Sequence, residues 1–207
     1  MKYELTGETK IHLGIKLHRI RALVDIKVAG VLKGDLGGWI EKIANLAQVS
    51  GNAWVYGNAR VYGNAWVYGN AQVYGNARVY GNAWVYGNAW VSGNAWVYGN
   101  ARVYGNAQVY GNAQVSGNAW VYGNAWVKRP VCSATRSDGH TFVVCETSKK
   151  DHPIIIAGCR YFTFPQARDH WQRTRGGTAL GDETFALLDH LERMAVGLGM
   201  HPGPRIL

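Results

Sequence analysis

From Gly51 to Val127 the chain repeats one polar and apolar pattern every six residues: Gly-Asn, then Ala-x-Val-Tyr. Side chains alternate across a strand, so Ala and Val share one face and x and Tyr the other. The small and the branched apolar residue belong inside, which predicts a four-residue strand with x and Tyr outward. Gly-Asn supplies the corner, since Gly accepts positive φ freely and Asn tolerates it better than most residues. Every corner bends the chain the same way. The pattern therefore predicts a solenoid of short parallel strands rather than a meander of hairpins, each unit burying its apolar face only by stacking on its neighbours. A further copy, Asn45-Leu46-Ala47-Gln48-Val49-Ser50, precedes the array in the same frame.

Val-Tyr-Gly-Asn-Ala-x resembles the hexapeptide repeat of left-handed parallel β-helices. The resemblance covers residues 45–127 and implies a triangular prism with three hexapeptides per coil. Left-handedness comes from the resemblance alone, because the general crossover rule favours the other hand. Fourteen units then make between four and five coils, a prism roughly 20–25 Å tall at about 4.8 Å per coil. The head of the chain, including Lys2-Tyr3-Glu4-Leu5-Thr6 and Gly34-Asp35-Leu36-Gly37-Gly38-Trp39-Ile40-Glu41, is similar to that of hexapeptide-repeat proteins from bacterial and phage or prophage genomes.

The flanks are expected to cover the two open ends of the solenoid, whose unpaired backbone would otherwise template aggregation. Residues 1–44 read as a β cap, with Ile11 to Leu23 largely alternating and turn chemistry at Lys33-Gly34-Asp35 and Gly37-Gly38. Residues 128–207 read as a β-β-α-α unit, a cap or oligomerisation domain. Its strands are Thr141–Glu146 and Pro153–Phe162, joined by a polar turn over Ser148–His152. A first helix starts at Thr163-Phe164-Pro165-Gln166 and runs to about Arg173. A second is capped by Asp182, its apolar face being Leu187, Leu188, Leu191, Met194 and Ala195, and it ends at Gly197, Gly199 and Pro202. The fold class is mainly β, a left-handed parallel β-helix between these two caps.

Charge adds little direction. The net charge is +9, yet each third contributes three. Residues 1–44 carry eight Lys/Arg against five Asp/Glu, the array only Arg60, Arg78 and Arg102, and residues 128–207 eleven against eight. Weak attraction to anions is allowed; sequence-specific DNA binding is not expected. The start is strand-like and polar, and no stretch reaches the roughly 20 apolar residues of a membrane span, so a cytoplasmic protein with no membrane association is expected. Cys132, Cys145 and Cys159 are read as buried free thiols rather than a disulfide framework, or, with His140 and His152, a zinc site, for which no close Cys pair exists. Neither a metal nor a cofactor is called for. Thr174-Arg175-Gly176-Gly177-Thr178 reads as an inter-helix loop, since it lacks the full phosphate-loop pattern. His170 and His190 read as surface helix residues.

No His, Cys, Asp, Glu or Lys lies between Asn45 and Val127, so the array offers a regular surface rather than acid–base chemistry. Its x positions and tyrosines place seventeen aromatics outward. With three units per coil, one face stacks Trp66, Trp84, Arg102 and Trp120 beside Tyr68, Tyr86, Tyr104 and Tyr122, with Arg102 in a cation–π stack between two indoles. A second carries Trp54, Gln72, Trp90, Gln108 and Trp126, and the third Arg60, Arg78, Trp96 and Gln114. The candidate binding residues are the first face together with Arg60 and Arg78. Such columns also stabilise a solenoid with no ligand at all.

Three readings follow. The first is a non-catalytic, self-associating structural or binding module, a homo-oligomer with a trimer favoured. The second is a phage-type anti-defence protein that sequesters a nucleotide or glycan on aromatic and Arg faces. The third, an acyltransferase, is the activity best known for the hexapeptide resemblance. It is disfavoured because the array lacks both the His base and the projecting loop such enzymes use.

Overall fold

In a computed structural model of the chain, residues 1–128, 132–147, 150–158 and 160–200 are described, residues 147 and 150–152 by their backbone alone. Cys159, the side chain of His152 and the stretch from His201 on, with Pro202, lie outside the described residues, as do Ser148 and Lys149 of the expected turn.

The repeats wind into a solenoid of about five turns with three parallel sheets. From Trp54 to Val121 each strand is only x-Val, and the rungs pair at a spacing of eighteen residues: Trp66 pairs with Trp84, Trp84 with Arg102, Arg102 with Trp120. The alternation places Ala and Val on the axis, and from Ala53 to Val127 they form one continuous buried core. Burying each valine contributes about 1.5 kcal/mol or more, so the core is built from many small equal increments. Backbone amides of x, Tyr and Asn donate to carbonyls one coil above, for example Trp66 N to Ala83 O at 2.9 Å and Asn64 N to Gly81 O at 2.8 Å.

The corners divide their labour differently from the expectation. Only the glycine is left-handed, with φ between 54° and 72° from Gly51 to Gly123; no asparagine of the array has positive φ. Asparagine instead forms ladders along the prism edges. The Asn64 amide donates to Asn82, Asn82 to Asn100 and Asn100 to Asn118, and the other two edges repeat this.

The N-terminal segment forms β1 (Tyr3–His12), β2 (Ile15–Ala22) and β3 (Leu36–Ile40). β1 and β2 make an antiparallel hairpin that turns at Leu13 and Gly14, within the stretch expected to be one alternating run. β3 pairs antiparallel with β2 on one side and parallel with Arg60–Val61 on the other. The solenoid ladder therefore starts inside the expected cap, at Trp39 and Ile40. Gly37 and Gly38 lie in this strand, not in a turn. A Cβ at Gly37 would sit 2.5 Å from Ile20 Cγ1, and one at Gly38 2.6 Å from Val55 Cγ1. Tyr3, Ile20, Ala22, Ile26 and Val31 close the lower end of the core.

The next rung corrects the frame of the outlying copy. Leu46, not Val49, bridges Val67, and Val49 is 95% exposed. Gly38-Trp39-Ile40 and Ala44-Asn45-Leu46 are thus two diverged small-x-aliphatic units, followed by a corner three residues longer than the rest. That longer corner has its own function: Gln48 Oε1 accepts from Lys2 N at 2.9 Å and its amide donates to Tyr3 O at 2.9 Å, clamping the hairpin to the prism.

At the far end, Ala125–Val127 pairs antiparallel with the strand Thr141–Thr147, so the C-terminal sheet continues one solenoid face. That strand pairs with Cys132–Thr135 and with Lys150–Ala157, which in turn pairs with Arg160–Phe162. The expected single strand 153–162 is therefore two. Val143, Cys145, Ile154 and Ile156 plug the prism, and Phe142, Val144 and Ile155 on the other face pack under two helices. Helix α1 (Phe164–Arg175) begins with the expected capping box of Thr163 and Gln166. Helix α2 (Ala179–Gly197) begins earlier than expected: Thr178, not Asp182, is its cap, its hydroxyl accepting from Gly181 N at 3.1 Å. Leu188, Leu191 and Ala195 are buried, whereas Met194 is exposed.

Candidate functional site

Three outward faces rise from these ladders, and the residues predicted to share a face do so in register. On the first, Arg102 lies 4.7 Å from the Trp84 ring and 4.9 Å from that of Trp120, the expected cation–π sandwich, each contact contributing about 0.5–1 kcal/mol where exposed. Tyr68, Tyr86, Tyr104 and Tyr122 stack along it with centroids 4.7, 4.8 and 5.0 Å apart. Trp66 and Trp120 remain 39% and 41% exposed, while the tyrosines are half-buried against one another. Burial raises the phenol pKa of Tyr68 and Tyr86. The tyrosines are thus part of the scaffold, and the indole edges are the surface presented.

The upper end of this face meets the C-terminal unit. Arg102, Trp120, Asn100 and Asn118 of the solenoid and the turn at Gly139-His140 line an open cleft of about 420 Å³. The cleft, and the place of His140 in it, were not foreseen, because contact between the turn and the prism depends on how the C-terminal sheet joins it. The Tyr122 hydroxyl donates to Gly158 O, and the Tyr161 hydroxyl donates to Tyr122 O, fixing that junction.

The second face differs from the expectation at its base. Trp54 is 1% exposed, because the N-terminal hairpin lies over it and Tyr3 packs edge-on against its ring at 6.2 Å. Not all seventeen aromatics face outward.

The third face is the most strongly charged. Arg60 and Arg78 are paired on adjacent rungs. The ladder continues downward through Trp39 to Arg19, and upward to Trp96, over which Arg78 lies at 4.8 Å. Lys10, from the outer strand β1, sits 3.9 Å from the centre of the Trp39 ring, and Arg19 lies 5.2 Å from it. Two guanidinium charges about 5 Å apart repel by a gross ~3 kcal/mol at an effective dielectric near 20. The neighbours register it. Burial, with Arg60 and Arg19, lowers the Lys10 pKa to about 8 despite the opposing pull of Glu8. Burial, with Arg60, Arg78 and Lys10, lowers that of His12. Lys10, His12 and Arg19 come from a hairpin whose placement on this face no periodicity announces.

Segments 53–69, 71–87, 83–99, 95–111 and 113–129 match the model of the YdcK beta solenoid repeat. The chain is a β-solenoid repeat protein. The matched segments are the rungs that carry these three faces, and the two diverged rungs at Trp39 and Asn45 lie outside them. No curated protein matches the chain. No described helix is long and apolar enough to cross a membrane. Cys132 and Cys145 are buried free thiols whose pKa values burial raises.

Proposed function

We propose that this solenoid is a non-catalytic binding module that self-associates through the Trp66–Trp84–Arg102–Trp120 face into a homo-oligomer, a trimer being favoured. The observation that carries this reading is the character of that face: three indoles in register on a flat parallel sheet, with one cation already held between two of them. Aromatic patches of this kind mark interfaces more often than bare solvent. The array's freedom from groups that titrate near neutrality supports a role without acid–base chemistry and weighs against acyl transfer. Left-handed winding, a bacterial or phage setting and a cytoplasmic location belong to the same reading and rest on the resemblance of the repeats and of the chain's head. Multi-angle light scattering tests it: an oligomer is expected that dissociates in Trp66→Arg, and a stable monomer at high concentration sinks it.

A second reading, capture of a nucleotide or glycan in the manner of a phage anti-defence protein, is favoured by the cleft between Arg102, Trp120 and His140. Arg102 would take an anionic group and Trp120 a planar ring. Calorimetry against nucleotides, cyclic dinucleotides and glycans should show binding that Arg102→Ala weakens; silence across the panel removes this reading.

A further inference from the structure

The third face collects more donors than acceptors. In five consecutive rungs, Arg19, Trp39, Arg60, Arg78 and Trp96, three residues are guanidinium cations. Lys10 is laid across them, and His12 stands edge-on to Tyr62 at 5.7 Å. Among the described residues one carboxylate reaches this group by an ion pair, Glu8 to Arg19 at 3.8 Å. Nε of Arg19, Arg60 and Arg78, Nε1 of Trp39 and Nε2 of His12 are buried with no hydrogen-bond partner among the described residues. Buried donors are ordinarily satisfied, and like charges are not ordinarily stacked on adjacent rungs unless something of opposite sign lies between them.

We propose that Lys10, Arg19, Arg60 and Arg78 form a binding site for a small ligand bearing two or more adjacent phosphate groups. The chemistry follows from spacing and residue type. Arg60 and Arg78, on adjacent rungs about 4.8 Å apart, suit neighbouring phosphates, each taken by a planar guanidinium, better than one isolated anion, and Arg19 lies two rungs below Arg60. Lys10 adds a point charge held in place by its Trp39 contact. The site spans the cap and the solenoid, so the hairpin has a recognition role in addition to closing the prism. Its extent favours a compact ligand over a nucleic-acid duplex, because the other two faces continue the basic strip with a single arginine, Arg102. It shares no residue with the Trp66–Trp120 face or the His140 cleft and rests on neither reading of those surfaces.

Titration calorimetry of the full chain with sodium tripolyphosphate, at low salt and neutral pH, tests this. Saturable binding at one site per chain is expected, with orthophosphate weaker by about tenfold or more. The double variant Arg60→Gln/Arg78→Gln should lose about tenfold or more in affinity, while Trp66→Arg and Arg102→Ala, on the other surfaces, leave it unchanged. Thermal melts confirm that the variants are folded; should the double variant not fold, Lys10→Met is expected to weaken binding in the same direction. Absence of heat at millimolar tripolyphosphate overturns the proposal. So does equal binding of orthophosphate, an affinity indifferent to Arg60, Arg78 and Lys10, or displacement of tripolyphosphate by short duplex DNA at equal phosphate concentration, which would mark a general polyanion surface.

Discussion

Leu46 bridges Val67 across a parallel rung, while Val49, three residues on and in the frame of the repeats, stands in solvent. The Val67 backbone has one rung below it, and the chain fills it with the earlier aliphatic residue. The longer corner that results frees Gln48 to clamp Tyr3. Leu46 is buried in the core and Val49 is 95% exposed, so their truncations should differ sharply. Leu46→Ala is expected to cost about 2–4 kcal/mol by the transfer and cavity terms, and Val49→Ala to stay within about 0.5 kcal/mol of wild type. Chemical denaturation of both variants decides it, and similar losses at the two sites would mean the rung is formed by the other frame.

Stacked corners should be intolerant of a side chain for two separable reasons. Gly87 has φ 69°, and a Cβ there would lie 2.9 Å from the backbone nitrogen of Gly105 in the next coil. Gly57 has φ 54°, with no atom within 4 Å of such a Cβ. Gly57→Ala therefore carries only the left-handed backbone cost, about 1–2 kcal/mol. Gly87→Ala adds a clash with backbone that cannot rotate away and should exceed it by about 1 kcal/mol or more. Equal melting temperatures for the two variants would show that the coils can separate at a corner without loss.

Much of this architecture was legible because the repeat is nearly perfect. Alternation alone puts Ala and Val on the axis, and a period of three units puts Trp84, Arg102 and Trp120 in one column. What was not legible depends on distances between coils or on surfaces brought from elsewhere. The Asn64–Asn82 ladder needs the coil spacing, which no single unit contains. Trp54 has the same sequence context as Trp66, yet it is buried because a hairpin distant in sequence lies over it. Trp39 and Leu46 were hidden by divergence: Gly38 replaces Ala, Leu46 replaces Val, and a longer corner breaks the count. Thr178 and Asp182 are both good caps, and only the helix start tells them apart. The third face was half-read, since Arg60 and Arg78 lie in the array whereas Lys10, His12 and Arg19 reach it from β1 and β2.

An acid-sensitive tie should hold the C-terminal helices to the sheet. Buried Arg136 donates through Nε and Nη2 to Asp138, at 2.9 and 2.6 Å, and through Nη1 to Thr184 of α2 at 2.9 Å. The hydrogen bonds from Arg136 hold the Asp138 pKa down to about 2, against an ordinary 3.8. A carboxyl whose folded pKa is depressed stabilises the fold fully above its unfolded value and loses that contribution as pH falls toward the folded one. Wild type is therefore expected to lose more stability than Asp138→Asn between about pH 4 and pH 2. Melts across that range read the difference directly; parallel acid slopes for the two proteins would remove Asp138 from the account.

Lys10 should show linkage of the same sign at higher pH on the third face, from a charge that destabilises rather than one that stabilises. Its ammonium is disfavoured first by burial and then by Arg60 and Arg19, with Glu8 opposing them and His12 beside it, and its pKa falls from 10.5 to about 8. Between those values the unfolded chain binds the proton more strongly than the folded one, so stability rises with pH across that window, and the full cost of the charge is present below about 8. Lys10→Met keeps an unbranched apolar stem against Trp39 and removes the charge. It should therefore be more stable than wild type at neutral pH, the advantage shrinking as pH rises through the window and vanishing above 10.5. Tripolyphosphate should act on the same term: by placing negative charge among Lys10, Arg60 and Arg78 it raises the Lys10 pKa, narrows the window and stabilises wild type more than the variant. Paired melts across the window, with and without tripolyphosphate, check both halves, and pH profiles that stay parallel throughout would show that these cations do not feel one another.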